Sequence, residues 1–214
     1  MFIGHYGLGY IVKKKVPELP LWLLFTSVQL LDLIAFTFVL LGIEKASYLS
    51  NNNPFFRNQL DLPFSHSLLG AIIVSLIVFI LFWIQNKKRW AWILGLCVLS
   101  HWFIDLIVHT NDLPILFGTY KVGFGLWSFP YLTYSIEILF VLIAWLLIKE
   151  RNIFSYVILF LMIASFSGMT FNNEPEIMKN NDSLRTSVVL ISYVLFILLA
   201  YLYDRKMKKT WLNA

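Results

Sequence analysis

His101, Asp105 and His109 recur at intervals of four residues in Ser100–His109. Residues four apart on a helix are neighbours, so a helical reading stacks these three side chains on one face, about 6 Å apart. The segment closes a long apolar run that begins at Trp90 and is hydrophobic enough for a bilayer. Ionisable groups at such depth are costly and are read first as functional. Imidazoles flanking a carboxylate suggest metal coordination, because mixed His and carboxylate sets suit zinc or another divalent transition metal. Asp32 lies in a second apolar run and offers another carboxylate. A mid-membrane Asp costs about 2.5–3.5 kcal/mol, which a bound cation would offset. The other two histidines are His5 and His66. Plainer readings stand beside the metal. His5 and His66 each suit an interfacial or hydrogen-bonded residue, His101 with Asp105 suits a neutral hydrogen bond between helices, and His109 suits the headgroup region. Glu137, one turn after Tyr134, suits a buried structural or pathway carboxylate. The convergence of several such groups favours the metal.

Those groups need rigid elements to hold them, and the composition says which kind. Of 214 residues, 59% are hydrophobic and 14% charged, against about 25% charged in soluble domains; the mean hydropathy is +0.73. This predicts an all-α integral membrane protein, a polytopic bundle of about six transmembrane helices plus a short apolar N-terminal helix. The spans drawn from apolar runs are Leu21–Ile43, Phe64–Ile84, Trp90–His109, Tyr131–Ile148, Ile153–Phe171 and Ser187–Tyr203. Met1–Val12 is too short to span and reads as an interfacial or re-entrant helix; its lysines follow rather than precede it, unlike a secretory signal. Without repeats or a low-complexity linker, residues 1–214 read as one membrane domain. Its motifs lie in 1–130, its C-terminal helices in 131–203 and a basic tail in 204–214.

Charge sets the expected orientation. The net charge of +5 comes from short basic clusters between apolar runs, which point to topology signals and anionic-lipid contacts rather than nucleic acid. Twelve of the seventeen Lys and Arg fall on one side of the drawn spans, at Lys13–Lys15, Lys87–Arg89, Lys149, Arg151 and the tail. Lys45, Arg57, Lys121, Lys179 and Arg185 fall on the other. The positive-inside rule then makes both termini cytoplasmic and puts His66, His101, Asp105 and His109 in the outer leaflet. One cysteine, Cys97, permits no internal disulfide and reads as a small packing residue.

Several short motifs occur in a recognisable order: Gly4-His5, Gln29-Leu30-Leu31-Asp32, Ser65-His66-Ser67-Leu68-Leu69, Ser100-His101-Trp102-Phe103-Ile104-Asp105, Asp112-Leu113-Pro114 and Lys121-Val122-Gly123-Phe124-Gly125-Leu126-Trp127. Together they resemble the YdjM-like family of bacterial membrane-bound metal-dependent hydrolases, especially a subgroup called permeases. The resemblance covers about the first 130 residues. The chain departs from it at Leu31-Asp32-Leu33, where many members carry two acids after a proline. It departs again at Leu62-Pro63-Phe64-Ser65, where many carry His-Arg-Gly before a Thr-His-Ser.

The resemblance implies His5, Asp32, His66, His101 and Asp105 as ligands of one or two divalent ions, with zinc favoured. It implies hydrolysis in the bacterial inner membrane, of a lipid-linked phosphoester as substrate and partner. A metal lowers the pKa of water from about 15.7 to near 7. The expected helpers are His109 or an unligated carboxylate such as Glu137 as proton shuttle, and Lys121 as a charge on the phosphate. Gly118, Gly123 and Gly125 would let the Lys121 loop approach a headgroup. The rival expectation is a proton- or metal-coupled transporter using the same groups. A polar chain crossing the whole membrane would favour it, whereas a cluster near one leaflet favours the enzyme.

Overall fold

The computed structural model describes residues 2–212. Side chains beyond Met207 lie outside the described residues, and with them Lys208 and Lys209 of the expected basic tail.

The chain enters as helix α1 (Gly4–Lys15), which is not interfacial: His5, Tyr6 and Tyr10 have no exposed surface. Glycines keep one flank of α1 thin. A Cβ on Gly7 would stand 2.7 Å from the ring of Phe140, and one on Gly9 3.0 Å from Phe25. The helix therefore sits inside the bundle, packed on α2 (Leu21–Leu40), α4 (Lys88–Val108) and α5 (Pro130–Leu146). Pro17 disfavours helix at the residue before it, and α1 stops at Lys15. Lys13 closes the corner by donating to the carbonyls of Pro17 (3.0 Å) and Leu19 (2.8 Å), while Asp204 accepts from the Trp22 amide (3.0 Å). That carboxylate satisfies one of the amides left open at a helix start.

The remaining helices are α3 (Leu68–Trp83), α6 (Ile153–Phe171), the single turn α7 (Glu176–Lys179) and α8 (Asp182–Leu212). Among the described residues, four helices are long and apolar enough to cross a membrane: α2, α4, α6 and Asp182–Met207 of α8. The runs drawn as spans Phe64–Ile84 and Tyr131–Ile148 form α3 and α5, shorter apolar helices of 16 and 17 residues. At α3 the cause is local. Glu44, 2% exposed, accepts from the amides of Phe64 (2.8 Å) and Ser65 (2.9 Å), drawing both out of any helix. Ser67 then caps the helix by accepting from the Gly70 amide (2.9 Å).

The fold is mostly helical but not wholly so. Lys45–Tyr48 (β1) pairs antiparallel with Asn58–Asp61 (β2), and Leu113–Leu116 (β3) with Thr119–Val122 (β4). Both hairpins lie where loops were expected. Trp102 ties the second to α4 by donating to the Pro114 carbonyl (3.2 Å). The core runs through α1, with Tyr6, Tyr10, Leu24 and Phe25 fully buried beside Phe166 and Phe196.

Candidate metal centre

Four separate elements carry the five implied ligands to one buried place: His5 on α1, Asp32 on α2, His66 in the turn before α3, and His101 and Asp105 on α4. None is more than 8% exposed. Asp105 is the hub. Its Oδ1 lies 3.1 Å from His5 Nε2, and its Oδ2 lies 3.1 Å from His101 Nε2 and 3.7 Å from His66 Nε2. Asp32 Oδ1 lies 3.1 Å from His66 Nε2 and 3.7 Å from His101 Nε2. Gln29, one turn before Asp32, donates to its other oxygen. Two sets, His5–His101–Asp105 and Asp32–His66–His101, each bring their ligand atoms within 4.8 Å of one another and could each hold a metal ion.

Neighbouring hydrogen bonds decide which nitrogen each ring presents. The Val28 carbonyl can only accept, so His101 Nδ1 donates to it at 2.7 Å. The Ser65 hydroxyl donates to Glu44 Oε2 (2.6 Å) and so accepts from His66 Nδ1 (3.0 Å). In the neutral rings both Nε2 atoms then carry bare lone pairs, and both face carboxylate oxygens. Lone pairs set against lone pairs repel unless a positive charge lies between them. His101 Nε2 is buried with no aligned hydrogen bond, although Asp105 Oδ2 lies 3.1 Å away. Ligand atoms about 2.0–2.1 Å from a tetrahedral ion stand about 3.4 Å apart, close to the 3.1–3.7 Å spacing here. The donor set, its tautomers and its spacing fit a divalent cation.

The other expected site residues divide. His109 caps α4 and lies beside the cluster, its Nε2 4.0 Å from Asp105 Oδ2 and its Nδ1 3.2 Å from Asp112 Oδ1. Burial alone would raise the Asp112 carboxyl, but the His109 hydrogen bond and charge, with the Thr110 hydroxyl, hold it below its usual range. Glu137 does not join the cluster. Its Oε2 accepts from the amides of Phe2 (2.8 Å) and Gly4 (3.0 Å), so it anchors the start of the helix that carries His5. Lys121 is not brought to the site either. It stands exposed on β4, opposite Pro114 in the hairpin register. Gly123 serves packing rather than a headgroup: a Cβ there would meet the Thr110 carbonyl at 1.8 Å. That approach lets Phe124 and Gly125 donate to the carbonyls of Leu106 and His109, closing the end of α4.

Beside the cluster lies a cavity of about 450 Å³. Asp32, His66, Asp105 and His109 line one part of it, and Phe36, Phe55, Trp127 and Phe196 form much of its apolar wall. Arg185, 4% exposed, also lines it, donating to Asp182 (2.6 Å) and to the Met178 carbonyl (3.1 Å). Sequence reasoning counted Arg185 only as a topology charge and did not single out Glu44 or Tyr193, another cavity residue whose hydroxyl faces Asp32. Comparison with family models, with curated proteins and with solved structures finds no match.

Proposed function

We propose that the protein is a membrane-embedded, metal-dependent hydrolase acting on a lipid-linked phosphoester. One observation carries the reading: two orienting hydrogen bonds, at His66 and His101, turn bare Nε2 atoms toward two buried carboxylates beside an apolar cavity. Orienting partners of this kind characterise metal-ligating histidines. His5, Asp32, His66, His101 and Asp105 would hold one or two divalent ions, zinc for preference given the nitrogen-rich set. A bound divalent cation supplies Lewis acidity, polarising a phosphoryl oxygen and acidifying water to near neutrality.

The chain's own residues do the rest. Phe36, Phe55 and Trp127 exclude water around the cluster and receive apolar parts of a substrate. His109 lines the cavity, held at Nδ1 by Asp112 and with Nε2 4.0 Å from Asp105 Oδ2, where it can take and return a proton. Arg185 supplies the cavity with a cation, the part the sequence assigned to Lys121. Tyr6, Tyr10 and Phe25, which do not line the cavity, are fully buried and pack ring against ring. That favours a site entered from one face over a polar path through the bundle.

The family resemblance implies a bacterial inner membrane, and the charge asymmetry puts Lys13–Lys15 and the C-terminal end of α8 on its cytoplasmic side, with the cluster, and Phe2 at the start of α1, toward the outer leaflet. The test is release of phosphate or headgroup from a panel of lipid phosphoesters by purified protein, with metal content measured in parallel. Metal-dependent release supports the assignment. Metal-loaded protein inert on every phosphoester, yet moving protons or metal across liposomes, makes it a transporter.

A further inference from the structure

Gly7 and Gly9 of α1, Gly70 of α3 and Gly95 of α4 are backed by neighbouring atoms; Gly168 in α6 is not. A Cβ built at Gly168 meets nothing closer than Asn172 Nδ2 at 3.9 Å. A glycine inside a helix costs about 0.5–1 kcal/mol relative to Ala, and here no close packing offsets it. What the missing side chain leaves is space, for Gly168 lines the cavity beside the cluster. Ser165, one turn earlier, also lines it and is exposed. Across the gap on α8 stand Val188, 41% exposed, and Ser192, both cavity-lining. The two serines fold their hydroxyls back onto the carbonyls of Met162 (3.1 Å) and Val188 (2.8 Å), leaving the gap an apolar lining.

We propose that this gap is a lateral portal through which a single hydrocarbon chain of a membrane amphiphile enters, its anionic phosphate-class headgroup lying in the chamber. The proposal rests on the hydrolase reading for the headgroup and on the helices for the chain. Both helices are long and apolar enough to span a membrane, so an opening between them faces acyl chains rather than water. The cavity-lining residues that are exposed fall in two places: Asn172, Asn173 and Pro175 in the loop after α6, and Ser165 and Val188 on the spanning helices, which mark where it reaches that apolar surface. On α8, Arg185 and Tyr193 are eight residues apart, so the chamber extends about 12 Å along that helix, at 1.5 Å per residue. That length accommodates a headgroup above the cluster while the chain leaves sideways.

The test uses full-length protein in lipid nanodiscs and a monoacyl glycerophosphate carrying a photoreactive diazirine on its chain. Adducts are mapped by mass spectrometry, and metal content is measured on the same samples. The expected result is labelling concentrated on cavity-facing Met169, Val189 and Ser192. Unlabelled monoacyl glycerophosphate should compete it away, and Gly168→Leu, which fills open space, should abolish most of it. Should Gly168→Leu fail to fold, Ser165→Leu closes the same gap from its exposed edge. Labelling spread over all lipid-facing helices and indifferent to these substitutions overturns the portal. Equal competition by glycerol 3-phosphate also overturns it, since the ligand would then come from water. Portal labelling in protein that binds no metal upholds the portal and refutes the hydrolase, so the two fail separately.

Discussion

The imidazoles of His5 and His101 lie face to face, ring centroids 3.7 Å apart and planes 3° from parallel, although 96 residues separate them in the chain. Each points Nε2 at a different oxygen of Asp105, both at 3.1 Å. Two stacked imidazolium rings would repel, so the stack keeps at least one ring in the neutral form that ligates metal. If the five ligands act as one unit, single substitutions at His66, His101 or Asp105 should each abolish turnover. Double substitutions should be no worse than singles. Steady-state assays of the singles and of the His66/Asp105 pair check this; additive losses would mean independent roles.

The Glu44–Ser65–His66 chain should tune metal affinity without touching the metal. Partners of this outer kind typically contribute 10–100-fold in affinity, so Ser65→Ala and Glu44→Gln should each weaken metal retention by roughly that factor. Competition against a chelator of known affinity measures it. Unchanged affinity in both variants would show that His66 holds its orientation by packing alone.

Glu137 separates anchoring from catalysis. Glu137→Ala leaves the part-buried Phe2 amide and the buried Gly4 amide without their acceptor, a loss of about 1–3 kcal/mol for the buried group, and should lower thermal stability and loosen His5. Glu137→Gln keeps an acceptor oxygen and should retain metal and most of the activity. A Glu137→Gln protein that is stable and metal-loaded but inactive would instead make this carboxylate the proton shuttle.

Topology is open to direct labelling. In a Cys97→Ser background, Asn52→Cys and Thr119→Cys should react with an impermeant thiol reagent in intact cells, and Lys88→Cys should not. All three positions are exposed. The reverse pattern would turn the cluster to the cytoplasmic leaflet.

The helices were legible because apolar runs of 18 residues or more leave few alternatives, and His101–Asp105 was legible because helical spacing is fixed. His66 was placed in a helix for want of any local sign that Glu44, 21 residues earlier than Ser65, takes the amides of Phe64 and Ser65. A longer separation in sequence hid Arg185, whose place in the cavity depends on how α8 meets the β1–β2 hairpin: the Tyr48 amide donates to Asp182 (3.1 Å). Lys121 drew notice from its glycine-rich surroundings, yet it lies on β4, whose Thr119, Tyr120 and Lys121 are all exposed. Charge near a motif marks a site only when the tertiary fold delivers it there.

Elemental analysis of protein purified without chelator tests the central claim most directly, with His101→Ala and Asp105→Ala prepared alongside. Near-stoichiometric divalent metal is expected in the wild type and its loss in both variants. Wild-type protein free of metal, with a thermal unfolding transition that added zinc does not move, would contradict that expectation and leave the cluster as a hydrogen-bonded knot between helices.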